Sequence, residues 1–508
     1  MNCFKNIVAL CGLMCLSTTA TVGQLKINYS LETAAALATG DHTPFWQVNH
    51  TWGVQSLASN NVYLRQGAFV EQQINRDWSW SAGLDFVAAS VSTYGKSWIQ
   101  QLYLHANWKI IGVEIGSREN YLSLFNPDLS SGDLAKSNNA RPIPVIKAGF
   151  PDYVLIPFTK GNLFIKGEVG YGKYLDTDYL AQQAIPFHRN YVGGIYAHNK
   201  AIFFRFGDIE HRHRQQFTLS CTNDAQWGGI IYKANPDGSY DVLPQSKNLI
   251  DGAVRITLGV GGGETPQDQS FIFGSSWGSY SLKYDRLIGN RGRQISAYLN
   301  HFFEDGSGMG FINLPDNLYG LEYTGVAGEW ISAVVAEVLY TKHQSGATMN
   351  NALGREGSYT PPSSDNKYRT DGSDNYYNNG DYCNGVSHFG KPLGNPLLLA
   401  PEYNTDGYIG FAGNRVMALH LAIEGYLQAE WQYRLLFSTG RNWGTFYIPF
   451  SQIKSGWATG ATIMYNPKKI AGLSMQIAVA CDEGDFFGGN TLGGKFTIIK
   501  KGIISQWN

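Results

Sequence analysis

The stretch Gln101–Gly116, QLYLHANWKIIGVEIG, alternates apolar and polar residues one by one. Leu102, Leu104, Ala106, Trp108 and Ile110 fall on one side of an extended chain, and Gln101, Tyr103, His105, Asn107 and Lys109 on the other. A period of two is that of a β-strand, whose side chains point in turn to the two faces of a sheet. After Ile110 the phase slips by one, and Ile111, Val113 and Ile115 alternate with Gly112, Glu114 and Gly116. The slip predicts a tight turn between two strands. The same alternation returns in Val62–Ile74, Leu163–Tyr171, Ile202–Phe206, Val254–Val260 and Tyr280–Tyr284, then in Met417–Gly425, Trp431–Phe437 and Leu473–Cys481. Helical periodicity of any length is scarce, so the fold class is all-β.

Composition narrows the kind of sheet. The 508 residues carry a net charge of -1, 43% apolar and 14% aromatic residues, but only 16% charged ones, against roughly 25% in an ordinary soluble chain. No basic excess exists for a nucleic-acid partner. The aromatic content is too high for a disordered chain. Neither an internal repeat nor a Pro/Ser-rich hinge divides the sequence, as a soluble multidomain sheet protein of this length would require. The polar face of the strands is mostly Gln, Ser, Thr, Tyr, Asn and Gly, which suits a wet lumen. Strands apolar outside and polar inside, with aromatics near their ends, define a transmembrane antiparallel β-barrel of the outer membrane. Closure satisfies every backbone group without water, which is what lipid demands.

The N-terminus fits that destination. Lys5 precedes the apolar run Ile7–Leu16 and the small or uncharged run Ser17–Gly23, so residues 1–24 read as a cleaved signal peptide. The residues before Cys11 and Cys15 lack the small side chain that lipidation needs at that place. Residues 25–508 then form one barrel domain. At ~25 to 30 residues per strand and connection, the mature chain supplies about 16 to 20 strands. The remaining Cys221, Cys383 and Cys481 are widely spaced and read as isolated thiols, with no metal-binding spacing.

Two segments break the alternation. Residues 126–144, NPDLSSGDLAKSNNARPIP, are rich in Pro, Asn and Ser; residues 344–413 are dense in Asn, Gly, Ser, Tyr and Pro. A connection as long as the second is functional or disordered. Its content of Tyr368, Tyr376, Tyr377, Tyr382, Phe389 and Tyr403 favours a folded loop that covers or enters the lumen.

Candidate contacts come from these segments together with motifs that carry a family resemblance. Arg141 offers a planar fork of donors to carboxylates of an acidic polysaccharide. Tyr376, Tyr377, Asn378 and Asn379 could form a surface patch that stacks on sugar rings and binds hydroxyls. Glu304-Asp305, followed by Gly306-Ser307-Gly308, reads first as a turn closing on its own amides and second as a hydroxyl or ion contact. Trp46 and Trp227 read as packing anchors. Within Asp208–Arg214, His211 and His213 would share one strand face, but no third metal ligand is identifiable, and a charged strand end is the simpler reading. No GxSxG elbow supports a hydrolase, and Ser387-His388 stands without a marked acidic partner. No enzymatic activity, cofactor or metal is expected.

Several motifs resemble the capsule-assembly (Wzi-type) outer-membrane proteins, particularly their Bacteroidetes branch. They are DHTPFWQVNHTWGVQSL at 41–57, SSGDLAKSNNARPIP at 130–144, AQWGG at 225–229, FFEDGSGM at 302–309, DNLYGLEY at 316–323 and SDNYYNNGDYCNGVSHFGKPLGNPL at 373–397. The resemblance implies an 18-stranded barrel with a partly occluded lumen that acts as a lectin, binding capsular polysaccharide and attaching or assembling the capsule. Implied partners are that polysaccharide, outer-membrane lipid and lipopolysaccharide, and the capsule export machinery. A porin or sugar-uptake channel is the alternative. One departure from barrels that end on an aromatic residue is Trp507, one place before the terminal Asn508.

Overall fold

A computed structural model describes residues 24–209, 213–245, 248–260, 273–289, 292–344 and 374–507. Residues 1–23, nearly all of the segment 1–24 expected to be a signal peptide, and the central part of the long loop, 345–373, lie outside the described residues.

Eighteen strands among the described residues form one antiparallel sheet. In chain order they are β1 (Leu25–His42), β2 (Ala58–Gln73), β3 (Trp78–Ala89), β4 (Ser97–Trp108), β5 (Ile111–Ser117), β6 (Val145–Leu155), β7 (Leu163–Lys173), β8 (Tyr196–Phe206) and β9 (Gln215–Trp227). They continue as β10 (Ser275–Ile288), β11 (Arg293–Phe303), β12 (Asn317–Thr324), β13 (Ala333–Tyr340), β14 (Val416–Gln428), β15 (Trp431–Gly444), β16 (Pro449–Tyr465), β17 (Leu473–Glu483) and β18 (Thr491–Trp507). Each pairs with the next, and β1 pairs with β18 from Leu25↔Trp507 onward, which closes the barrel. Trp507 is thus the last residue of the closing strand despite the trailing Asn508.

The deciding stretch behaves as its pattern requires. Trp108 pairs with Ile111 across a two-residue turn in which Lys109 has φ 55, and Leu104 pairs with Ile115. Leu102, Leu104, Val113 and Ile115 are exposed on the outer wall, whereas Gln101 and Glu114 are buried toward the lumen. This arrangement is an outer-membrane barrel: an apolar exterior around a polar interior.

The two ends differ. Short turns join β2 to β3, β4 to β5 and β14 to β15 at the end that also holds Leu25 and Trp507, while the long connections all emerge at the other end. Short turns face the periplasm and long loops face outward in such barrels.

One expected strand is a helix. Of the expected strand Val254–Val260, Val254–Leu258 belongs to α3 (Leu249–Leu258), which follows α1 (Phe45–Val48) and α2 (Thr177–Ala184) in the chain. The Asn248 side chain caps the N-terminus by accepting from Ile250 N (3.0 Å) and Asp251 N (3.3 Å), Asp251 pairs with Arg255 one turn on, and Gly259 ends the helix at φ 65. Capping at both ends outweighed a short alternation that a helix also accommodates.

Candidate functional site: a plugged lumen and a charged cleft

The outer half of the lumen is filled by the chain itself. The first loop with α1, residues 118–144, the α2 segment and residues 374–415 pack there around one apolar cluster that includes Phe45, Leu134, Tyr179, Tyr376, Tyr377, Val386, Leu398 and Phe411. Inward side chains of the wall hold this plug. Glu337 of β13 accepts from Ser130 Oγ at 2.6 Å and Ser131 N at 2.7 Å, Asn300 of β11 accepts from Leu134 N at 2.8 Å, and Trp277 of β10 donates to Ala135 O at 3.1 Å. The two irregular segments also lock together. Ser137 Oγ donates to Gly394 O (2.7 Å), Asn139 Nδ2 donates to the same carbonyl (2.9 Å), and Tyr377 OH donates to Leu134 O.

Below and beside the plug the lumen stays open. A cavity of about 500 Å³ starts near Gln24 and Gln73 at the periplasmic mouth and is lined by Trp80, His105, Arg118, Lys166 and Phe203. It shares Glu114, Arg118, Lys147 and Glu168 with a pocket of about 80 Å³ that runs up between plug and wall to Trp52 and Arg141. Register builds the charge network there. Glu114 of β5 lies opposite His105 of β4 and Lys147 of β6, so its carboxylate stands 3.1 Å from Arg118, 3.3 Å from Lys147 and 3.6 Å from His105. Lys147 also meets Glu168 of β7 at 3.1 Å, and Lys136 of the plug meets Asp224 of β9 at 2.9 Å. A second cavity of about 870 Å³ flanks Arg65, which pairs with both Asp85 and Glu119. Alternating charges of this kind solvate hydroxyls and ions on a wet surface. They supply no nucleophile paired with a base.

The expected contact residues fare differently. Arg141 lies at the top of the cleft, its guanidinium 5.4 Å from the Tyr94 ring centroid and 5.7 Å from that of Phe389. It donates one hydrogen bond, to Ile99 O at 2.6 Å, and no protein acceptor meets its Nε among the described residues. Glu304 accepts from Tyr377 N at 2.6 Å, and burial pushes its carboxyl well above the usual range. Asp305 accepts from Gly308 N (3.3 Å) and so closes its own turn, as read from the sequence, whereas Glu304 is spent on the plug and not on that turn. Burial likewise raises Asp176 and Asp316 to about 7, each accepting backbone amides of the plug.

The proposed tyrosine and asparagine patch is corrected. Tyr376 and Tyr377 are 2% and 1% exposed, with both rings edge-on to Phe302. Asn378 spends its amide on Asn375 and Phe411, and Asn379 accepts from Asp381 N and Tyr382 N to close a turn. Burying two aromatic rings is worth several kcal/mol at ~25 cal/mol per Å², which outweighs leaving them for a ligand. The described part of the long loop is therefore plug rather than a mobile surface loop.

The other sequence candidates settle as structure. Trp46 packs against His420 in the lumen, and Trp227 is buried at the end of β9. Ser387 Oγ donates to Asn384 O, while burial pushes His388 down to about 3 with its ring against Arg141 O, so no Ser–His pair forms. His213 lies in a turn with Asp208 and not on a strand; 210–212 lie outside the described residues. Cys221, Cys383 and Cys481 are unbridged.

Sequence reading missed the cleft network. Its members occupy inward positions of alternating strands, so their polarity was visible, but which of them meet depends on register.

These features define an outer-membrane β-barrel of eighteen strands whose outer half is plugged. The chain is similar in fold to Wzi, an outer-membrane protein involved in group 1 capsule assembly in Escherichia coli, described as a carbohydrate-binding β-barrel. That match has a TM-score of 0.53 at 12% identity and covers 92% of this chain and 83% of that one. Two Pseudomonas aeruginosa proteins also align: OccK3 (OpdO), with a TM-score of 0.48, 10% identity and 95% and 96% coverage, and OccK5 (OpdH), with 0.46, 9% and 95% and 98%. No protein-family model and no curated protein matches the chain by sequence, so the narrower Bacteroidetes assignment has no support.

Proposed function

We propose that this barrel is a lectin-like protein of the outer membrane that binds capsular or other surface polysaccharide on its outer side and holds it to the cell. The observation that carries this reading is the plug. A channel needs a continuous wet path, whereas here residues of four connections fill the outer half of the lumen with apolar side chains and wall-anchored amides. A closed barrel still offers a folded outer surface, and many barrels meeting one long repeating chain turn weak contacts into firm attachment. Arg141, its guanidinium framed by two rings and tied to the described residues by a single hydrogen bond, to Ile99 O, is the contact best suited to an acidic sugar. The fold shared with a carbohydrate-binding capsule protein supports the same reading.

The cleft that reaches from the periplasmic mouth to Arg141 favours a second reading, a narrow uptake channel for sugars. Deleting the gene and staining for polysaccharide on cells and in the medium separates the two. Attachment predicts polysaccharide that is still made but shed. An unchanged coat with slower sugar uptake would favour the channel and sink the lectin.

A further inference from the structure

The outer wall carries polar residues where lipid is expected, and two segments cover them. Asp224 of β9 points into the lumen, where it meets Lys136, so the odd-numbered residues of β9 face outward; register then places Lys200 and His198 of β8 and Tyr171 of β7 on the outside as well. Lys200 stands six residues above Phe206, the periplasmic end of β8. At ~3.3 Å per residue and ~40° of tilt that is ~15 Å, inside an apolar belt ~25 Å tall.

α3 answers that placement. Lys200 Nζ donates to Thr257 O at 2.8 Å, in the last turn of the helix where the carbonyls carry the negative end of its dipole, and Tyr171 OH meets Thr257 Oγ1. Ile256 is buried with Ala225 and Trp227 of the outer face of β9. α3 therefore lies on the outside of the barrel, and its far side presents Leu249, Ile250, Val254 and Leu258, with Ile250 77% and Leu258 68% exposed.

A second segment repeats the device two strands on. His301 of β11 faces outward beside Tyr280, and α4 (Gly306–Met309) with the turn after it folds back over this ring. Gly308 O lies 3.0 Å from His301 Nε2, and the Phe311 ring stands 4.5 Å from the imidazole. Met309, Phe311, Ile312 and Leu314 are exposed. Both apolar faces continue the lipid-facing surface formed by Val169, Ile202, Leu219 and Tyr284.

We infer that α3 and the segment 306–314 form a collar seated in the outer leaflet, with lipid acyl chains as its occupant. The collar buries outward polar groups and widens the apolar belt on the β7–β11 side, in the manner of interfacial amphipathic helices. A benzophenone amino acid placed at Ile250, Leu258 or Phe311 of the full chain, in phosphatidylcholine vesicles, tests this. Illumination is expected to add the mass of one phospholipid, several-fold more often than at Asp237, in the exposed turn between the paired segments Ile230–Ala234 and Tyr240–Pro244, with heat-modifiable migration confirming that each variant is folded. Crosslinking to a second copy, or no more lipid adduct than at Asp237, would overturn the inference; three positions guard against one variant failing to fold.

Discussion

Replacing residues 345–413 by a short Asn-Gly turn is expected to convert a barrel that passes no steady current into one that does. β13 and β14 are hydrogen-bonded neighbours, Tyr340 standing opposite Met417, so the excised segment is not part of the wall and a two-residue turn suits the hairpin left behind. What leaves is the half of the plug that includes Tyr376, Tyr377, Asn395, Leu398 and Phe411. Residues 130–139 then lose their bonds to Leu393 and Gly394 and with them one side of their packing. In planar bilayers the intact protein is expected to stay at baseline and the excised one to give large, stable single-channel steps. Steady steps from the intact protein would show that the plug does not close the lumen.

The second large effect concerns one carboxylate. Glu337 accepts from Ser130 Oγ, Ser131 N and Tyr298 OH, which fastens residues 126–139 to the wall. Glu337→Ala removes the acceptor of both plug donors, Ser130 Oγ and Ser131 N, at about 1 kcal/mol or more each, so the plug is expected to loosen by on the order of 2 kcal/mol. The β13 ladder does not use the side chain, and the barrel should keep its heat-modifiable migration. Amide exchange in 126–139 is expected to rise at least tenfold while the strands stay protected; Glu337→Gln should cost less because its carbonyl still accepts. Unchanged exchange in Glu337→Ala would remove the anchor from the account.

The wall was legible in the sequence because each strand states its own face: Leu102, Leu104, Val113 and Ile115 are exposed and Gln101 and Glu114 are buried, as their alternation requires. The class of barrel and an approximate strand count follow from such local patterns. The plug was legible as an interruption whose tyrosines favoured a folded loop entering the lumen, but not in which of its residues pack and which stay free. Tyr376 and Tyr377 look like a sugar-stacking pair by residue type, yet a ring that stacks on sugar and a ring that packs against Phe302 are the same residue in sequence. Val254–Val260 failed for a related reason, since seven residues fit either period, and the N-cap Asn248 lay outside the window while the C-cap Gly259 inside it reads equally as a strand-end glycine. The Glu114–Lys147–Glu168 relay needed the register of three strands, which no single stretch encodes.

The central claim is that the closed barrel holds surface polysaccharide on its outer side. The direct measurement is equilibrium binding of a purified fragment of the producing cell's own surface polysaccharide to the folded protein in nanodiscs, beside Arg141→Ala. Saturable, salt-sensitive binding to the intact protein is expected, weakened about tenfold or more in Arg141→Ala by loss of a charged hydrogen bond at ~1.5 to 3 kcal/mol. No saturable binding to the intact protein would contradict it.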